Sequence, residues 1–283
     1  MNINTFYNIF YRHRFQKANL LHKIYLSLVL PFKYILNYFY LPPKIDLDEL
    51  GKKQEDLKYK DLNYLFDYFN SDKGNFSENQ YVQPFKRTKE KIKVHGYGNF
   101  YEKYFKKIKD RKLNIMEIGS FYGNASASLF FYFKNSFLYA GDICPDLFRY
   151  NSKRIKNFYI NSSDEKSIYD SIIKENIKLD IIIEDASHSF KDQIISLFML
   201  FKNLNSEGIF IVEELDFPDT RQDMNLKNEK PSLREILNKI LKKDFSFNSN
   251  YISAEDKKYF LENFSNIEVF KGNFNEIAII TKK

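Results

Sequence analysis

The chain has 283 residues, enough for one large α/β domain with an extension or for two small domains, and a composition that is 43% hydrophobic and 18% aromatic supplies ample core. The net charge of +7 is carried mostly by Lys along the whole chain, a weak pointer to polyanions or membranes. The single cysteine, Cys144, excludes an intramolecular disulfide framework and a Cys-rich zinc site, and it fits a reducing cytoplasm.

The N-terminus lacks the basic, apolar, small-residue order of a cleavable signal peptide. Residues 1–45 carry six cations (Arg12, Arg14, Lys17, Lys23, Lys33, Lys44) interleaved with aromatic and aliphatic residues, and no Asp or Glu. Two readings follow: an amphipathic segment lying on an anionic membrane, at the inner face, or docking on a partner, and a helical pair packed on the main domain. The apolar run Ile24–Leu41 is broken by Pro31 and Lys33 and falls short of the roughly 20 uninterrupted residues of a spanning helix. "LPPKIDLDEL" (41–50) reads as a linker, and a charge-rich stretch continues to Lys60.

From Asp61, "DLNYLFDYF" has helical spacing and stops at "NSDKGN". Residues 75–95 are polar and read as a loop able to cover a site, and Tyr97–Ile108 returns to helical spacing. Beyond residue 112, apolar strands alternate with amphipathic helices: "LNIMEIG", "SFLYAGDI", "KNFYIN", "LDIIIED" and "GIFIVEEL" are the strands. That alternation predicts an α/β fold with a doubly wound, Rossmann-like, mostly parallel sheet covered on both faces. After helices over 233–243 and 254–264, "NIEVFK" and "NEIAIITK" predict an antiparallel hairpin at the C-terminal edge. The division expected is an N-terminal helical extension and linker over 1–60, helical cap elements over 61–112, and the sheet domain over 113–283.

Ligands of doubly wound sheets bind at the carboxyl ends of the strands. The first strand ends in Glu117, Gly119, Ser120 and Gly123, an E-x-G-x-x-x-G turn without dinucleotide spacing; an acid before the first glycine suits a cationic or amino-bearing ligand. Asp142, 19 residues beyond Gly123, ends the second strand and can accept the hydroxyls of a ribose, and Ser163 or Asp164 can reach a base. Together these marks predict a nucleoside-binding site.

Residues 113–185 resemble a class I S-adenosylmethionine-dependent methyltransferase. The likeness extends over about residues 61–283 to sugar O-methyltransferases of the mycinamicin or macrocin type. It rests on Ser71-Asp72-Lys73-Gly74, His95-Gly-Tyr97, Tyr101-Glu102-Lys-Tyr-Phe105, Met116-Glu117-Ile-Gly119, Glu184-Asp185-Ala186-Ser187-His188 and Val212-Glu213-Glu214. The chain departs from that pattern at Ala186, where glycine is usual, at Glu184 and Glu214, where aspartate is usual, and in a 20-residue insert over 75–94. In this setting Asp72 and Lys73 can hold the cofactor's amine and carboxylate, or simply end a helix.

Methyl transfer to a sugar hydroxyl needs a positioned base, because the hydroxyl holds its proton too tightly at neutral pH. His188, after the fourth strand, is the candidate base, and Asp185 is assigned to catalysis and to the cofactor side of the same cleft. Asp185, Glu213 and Glu214 finish adjacent strands and would repel one another unless solvated, protonated or bridged by a cation, and oxygen ligands in that number suit Mg²⁺ or Ca²⁺; the resemblance implies the same arrangement. Glu184 is expected to face away from the site, and His95 to line a pocket wall. Asp216–Glu235 reads as a substrate-facing loop or a solvated connection. The function expected is a cytoplasmic O-methyltransferase acting on a saccharide or other small-molecule acceptor, with homo-oligomers allowed. Three readings compete: a non-catalytic, membrane-associated cofactor-binding protein; a nucleic-acid methyltransferase, disfavoured because the Lys residues form no stripe and no amine-methylating motif follows the fourth strand; and a dinucleotide oxidoreductase, disfavoured by the glycine spacing.

Overall fold

The computed structural model describes residues 2–39, 41–79 and 90–283. Half of the insert, residues 80–89, therefore lies outside the described residues, but its two ends pair as short antiparallel strands, Phe76–Ser77 with Ile92–Lys93.

Helices α1 (Ile3–Phe10), α2 (Arg12–Lys17) and α3 (Leu20–Phe39) form an N-terminal layer. Its small core is aromatic, with Phe6, Phe10, Tyr11 and Leu26 buried together. The layer rests on the main body through Phe10, whose ring centroid lies 6.0 Å from that of Phe121. No described helix is long and apolar enough to cross a membrane.

The stretch read as a linker is folded. Ile45–Asp46 pairs in parallel with Tyr150–Asn151, and Asp46 caps α4 (Leu47–Lys53) by accepting from the Glu49 amide at 2.9 Å. Leu47 and Leu57 are buried in the main core, so apolar anchors outweigh the charge-rich composition there. Helices α5 (Leu62–Tyr68) and α6 (Gly98–Phe105) follow.

The main sheet has seven strands: β1 (Asn114–Ile118), β2 (Phe137–Asp142), β3 (Ile155–Tyr159), β4 (Leu179–Glu184), β5 (Leu204–Val212), β6 (Phe264–Lys271) and β7 (Glu276–Lys282). Their spatial order is 3-2-1-4-5-7-6, parallel except for β7, which runs antiparallel to both neighbours. The expected edge hairpin is therefore present, inserted so that β7 pairs with β5. The apolar runs of β1 and β4 follow from burial on both faces. On one face α7 (Asn124–Tyr132) lies under the cap helices, with Phe69 stacked on Phe131 and Phe105 against Phe133. On the other face, α8 (Phe190–Leu200), α9 (Leu233–Leu241) and α10 (Ala254–Asn263) cover Ile182, Phe210 and Ile280. The strand order reverses between β1 and β4, so the carboxyl ends of those two strands open the cleft.

Candidate active site

The turn after β1 brings the two halves of the site into contact. Gly119 has φ +93°, and a Cβ there would stand 2.0 Å from the carbonyl oxygen of Asp185. Glycine is thus required both by the backbone conformation and by the turn of β4 pressed against it. Gly123, at φ +86°, enters α7 against the Phe148 ring. Asp142 organises the same turn: its two carboxylate oxygens accept from the amides of Phe121 (2.8 Å) and Cys144 (2.7 Å). Each oxygen keeps a lone pair for a ribose hydroxyl. Glu117 is buried and accepts from Ser126, and burial pushes its carboxyl up to about 6 against the opposing pull of Lys73. The Ser120 hydroxyl is buried with no hydrogen-bond partner. An orphaned hydroxyl, spare carboxylate lone pairs and two left-handed glycines fit a nucleoside ligand over this turn.

At the ends of β4 and β5, Asp185, His188 and Glu214 each offer a ligand atom within 4.8 Å of the others. His188 Nε2 lies 3.7 Å from Asp185 Oδ1, and Nδ1 lies 3.4 Å from Glu214 Oε2. Neither His188 Nδ1 nor Glu214 Oε2 makes a hydrogen bond. Both residues adopt the left-handed region, His188 at φ +55° and Glu214 at φ +46°, which costs about 1–3 kcal/mol each and is held by the surrounding fold. Gln193 of α8 contributes to that hold by donating to the Glu213 and Glu214 carbonyls at 3.2 and 3.0 Å. Phe217 meets the His188 ring edge-on at 5.4 Å. Burial, reinforced by the neighbouring His95 and by the Lys73 ammonium, pushes His188 down to about 3, so the imidazole is neutral at ordinary pH. Burial and the Asp185 carboxylate hold Glu214 well above the usual carboxylate range. Two converging carboxylates with an unpaired oxygen fit a Mg²⁺ ion that completes its shell with water and substrate oxygens.

Five expected site residues take other places. Lys73 is fully buried, and its ammonium is clasped by Asp185, with Glu213 at 3.0 Å and Glu117 at 3.6 Å. It therefore faces protein carboxylates instead of a ligand's. Burial would lower its pKa, but Asp185 and Glu213, with Tyr101 and Glu117, hold it well above its ordinary value. Glu213 stands outside the ion-ready trio because Lys73 and the Tyr101 hydroxyl already engage its carboxylate. Ser163 donates to Asp192 at 2.6 Å, and Asp164 caps the helical turn that begins at Glu165, accepting from the Lys166 amide at 3.0 Å. Asp72 precedes Lys73 in the turn after α5, and its carbonyl accepts from the His95 amide at 3.0 Å.

The structure adds residues that the sequence reading placed outside the chemistry. His95 Nε2 lies 3.2 Å from Glu214 Oε1, while its Nδ1 lies 3.1 Å from the Asn275 amide nitrogen in the β6–β7 turn. An amide donating to Nδ1 leaves Nε2 as the protonated nitrogen, directed at Glu214. Tyr97 donates to the same Glu214 oxygen at 3.4 Å. The H-x-Y and Y-E-x-x-F elements were the available signal: His95, Tyr97 and Tyr101 all end on the β5 acids.

No protein-family model matches this chain. A segment of 130 residues, 43% of the chain, is 30% identical to an 8-demethyl-8-α-L-rhamnosyl tetracenomycin-C 2′-O-methyltransferase of Streptomyces olivaceus and spans 34% of that protein. The MycE methyltransferase of the mycinamycin pathway, solved with Mg, S-adenosylhomocysteine and mycinamycin VI, superposes on 79% of the chain with a TM-score of 0.58 at 16% identity. A second MycE structure, with Mg and S-adenosylhomocysteine, gives the same TM-score at 18% identity. The fold is the MycE methyltransferase fold. The chain spans about a third of the curated relative (34%) and about half of each MycE chain (54%). Within the methyltransferase fold, the Gly119 turn and the Asp185–His188–Glu214 group occupy one cleft at the carboxyl ends of β1, β4 and β5.

Proposed function

We propose that the chain is an S-adenosylmethionine-dependent O-methyltransferase that methylates a hydroxyl of a sugar or glycan precursor. The observation that carries this is the contact of Gly119 with the Asp185 turn, which sets a neutral imidazole and two ion-ready carboxylates beside the nucleoside turn. The rhamnosyl 2′-O-methyltransferase relative and the MycE complexes support the substrate class and the pairing with Mg.

Gly119 and Asp142 would hold S-adenosylmethionine, which would supply an electrophilic methyl group with S-adenosylhomocysteine as the leaving group. Asp185 and Glu214 would hold Mg²⁺, which would supply Lewis acidity toward the acceptor hydroxyls. His188 accepts the hydroxyl proton at Nε2, the nitrogen that faces Asp185, and the Asp185 carboxylate stabilises the resulting imidazolium. Burial keeps His188 unprotonated until the acceptor arrives. His95 and Tyr97 orient Glu214, and Lys73 counters the charge of Asp185, Glu213 and Glu117.

The test is calorimetric titration with S-adenosylhomocysteine, followed by methyl transfer from labelled S-adenosylmethionine to a panel of nucleotide-linked sugars and glycosides with Mg²⁺. His188→Ala should bind S-adenosylhomocysteine as the wild type does and lose turnover by about 10²–10⁴. EDTA should abolish turnover and Mg²⁺ should restore it. A wild-type chain that does not bind S-adenosylhomocysteine, or a His188→Ala variant at wild-type rate, overturns the proposal. Peripheral attachment to an anionic membrane through residues 1–45 is a separate proposal, favoured by the outward apolar face of α3. Self-association is the competing use of that face.

A further inference from the structure

Helix α3 has two apolar faces, and only one is covered. Leu26, Leu30 and Tyr34 turn inward onto α1 and α2. Leu20 (74% exposed), Leu21 (79%), Leu28 (67%), Phe32 (69%) and Phe39 (78%) turn outward, joined by Ile24. At about 100° per residue these outward side chains fall on one arc, about 120° wide from Leu20 to Phe32. On the same wheel Lys23 falls between Leu30 and Tyr34, and Lys33 falls beside Leu26, so the outward arc itself carries neither lysine. A helix apolar all round is ordinarily buried, so the outer face calls for an occupant.

We infer that this face docks on an anionic lipid surface, with α3 lying in the plane of the membrane and its outward side chains below the headgroups. Charge selects this occupant. Residues 1–45 hold six Lys or Arg and no acid, so anionic headgroups complement the segment, whereas a second copy would bring like charge against like. Lys23 is exposed and adds to that charge, while the Lys33 ammonium lies 5.6 Å from the centroid of the Tyr11 ring on the inward side. Arg12 and Arg14 of α2 are exposed and add to the same charge. The placement stands independently of the methyl-transfer reading and adds a location to it.

The full chain is tested by co-sedimentation with vesicles of equal parts phosphatidylglycerol and phosphatidylcholine, and with phosphatidylcholine alone. Binding is expected on the anionic vesicles, at least tenfold weaker on the neutral ones, and weakened by salt, as about fivefold per basic residue near the surface implies. The Leu28→Glu/Phe32→Glu double variant should lose vesicle binding while keeping S-adenosylhomocysteine affinity by calorimetry. Arg12→Gln should weaken vesicle binding by about fivefold. Three results overturn the inference: no binding of the wild-type chain to anionic vesicles; vesicle binding unchanged in the double variant; or a wild-type dimer that the double variant turns into a monomer, with no vesicle binding by either. S-adenosylhomocysteine affinity, measured on the same preparations, reports separately on the methyl-transfer reading.

Discussion

Glu184 and Asp185 are neighbours that serve opposite faces of the sheet. Asp185 joins the cleft, while Glu184 is fully buried with no hydrogen-bond partner on either carboxylate oxygen. Alternation along β4 made that separation legible in the sequence, but the depth of Glu184 was not, because it depends on α8 closing over the strand. Burial, reinforced by Asp192 and Asp185, pushes Glu184 up to about 8 from 4.5. The folded state therefore keeps a proton that the unfolded chain releases above about 4.5, and stability falls as pH rises from about 4.5 until it levels near 8. Glu184→Gln should flatten that part of the profile, measured as urea midpoints of the cofactor-free chain across the window. An identical slope in both proteins would remove Glu184 as its source.

Lys73 shows what an element contributes by where it ends. The turn after α5 delivers one ammonium to the carboxyl ends of β1, β4 and β5, through Glu117, Asp185 and Glu213. Without it, three carboxylates would share the interior with no counter-charge. Lys73→Met should cost about 3–5 kcal/mol in the denaturation free energy of the cofactor-free chain, the loss expected when a buried pair is broken from one side. A loss below about 1 kcal/mol would mean the acids are neutral there without the lysine. The strands themselves were plain in the sequence, since runs such as Ile181–Ile182–Ile183 admit little else. The destination of Lys73 was not, because Ser-Asp-Lys-Gly reads equally as a helix stop, and only tertiary packing brings position 73 to positions 185 and 213. The same limit hid His95, which meets Glu214 only because the β6–β7 turn, 180 residues along the chain, holds it there.

At the scale of the molecule, the N-terminal layer and the cleft are joined. Phe10 meets Phe121, and Leu41 and Phe121 pack on the buried group of Tyr122, Cys144 and Leu147. Phe121 lies within the Gly119–Gly123 turn and itself adopts φ +46°. A cofactor held by that turn should leave when the turn loosens, and here Phe121 of the turn packs against the aromatic core of the N-terminal layer. How firmly that layer is anchored should then set the pace of product escape. Stopped-flow dissociation of S-adenosylhomocysteine should be slower from chains attached to anionic vesicles than from free ones, with equal rates counting against the linkage. Under the proposed activity and attachment, the chain should linger with its product while tethered and exchange it quickly once adrift.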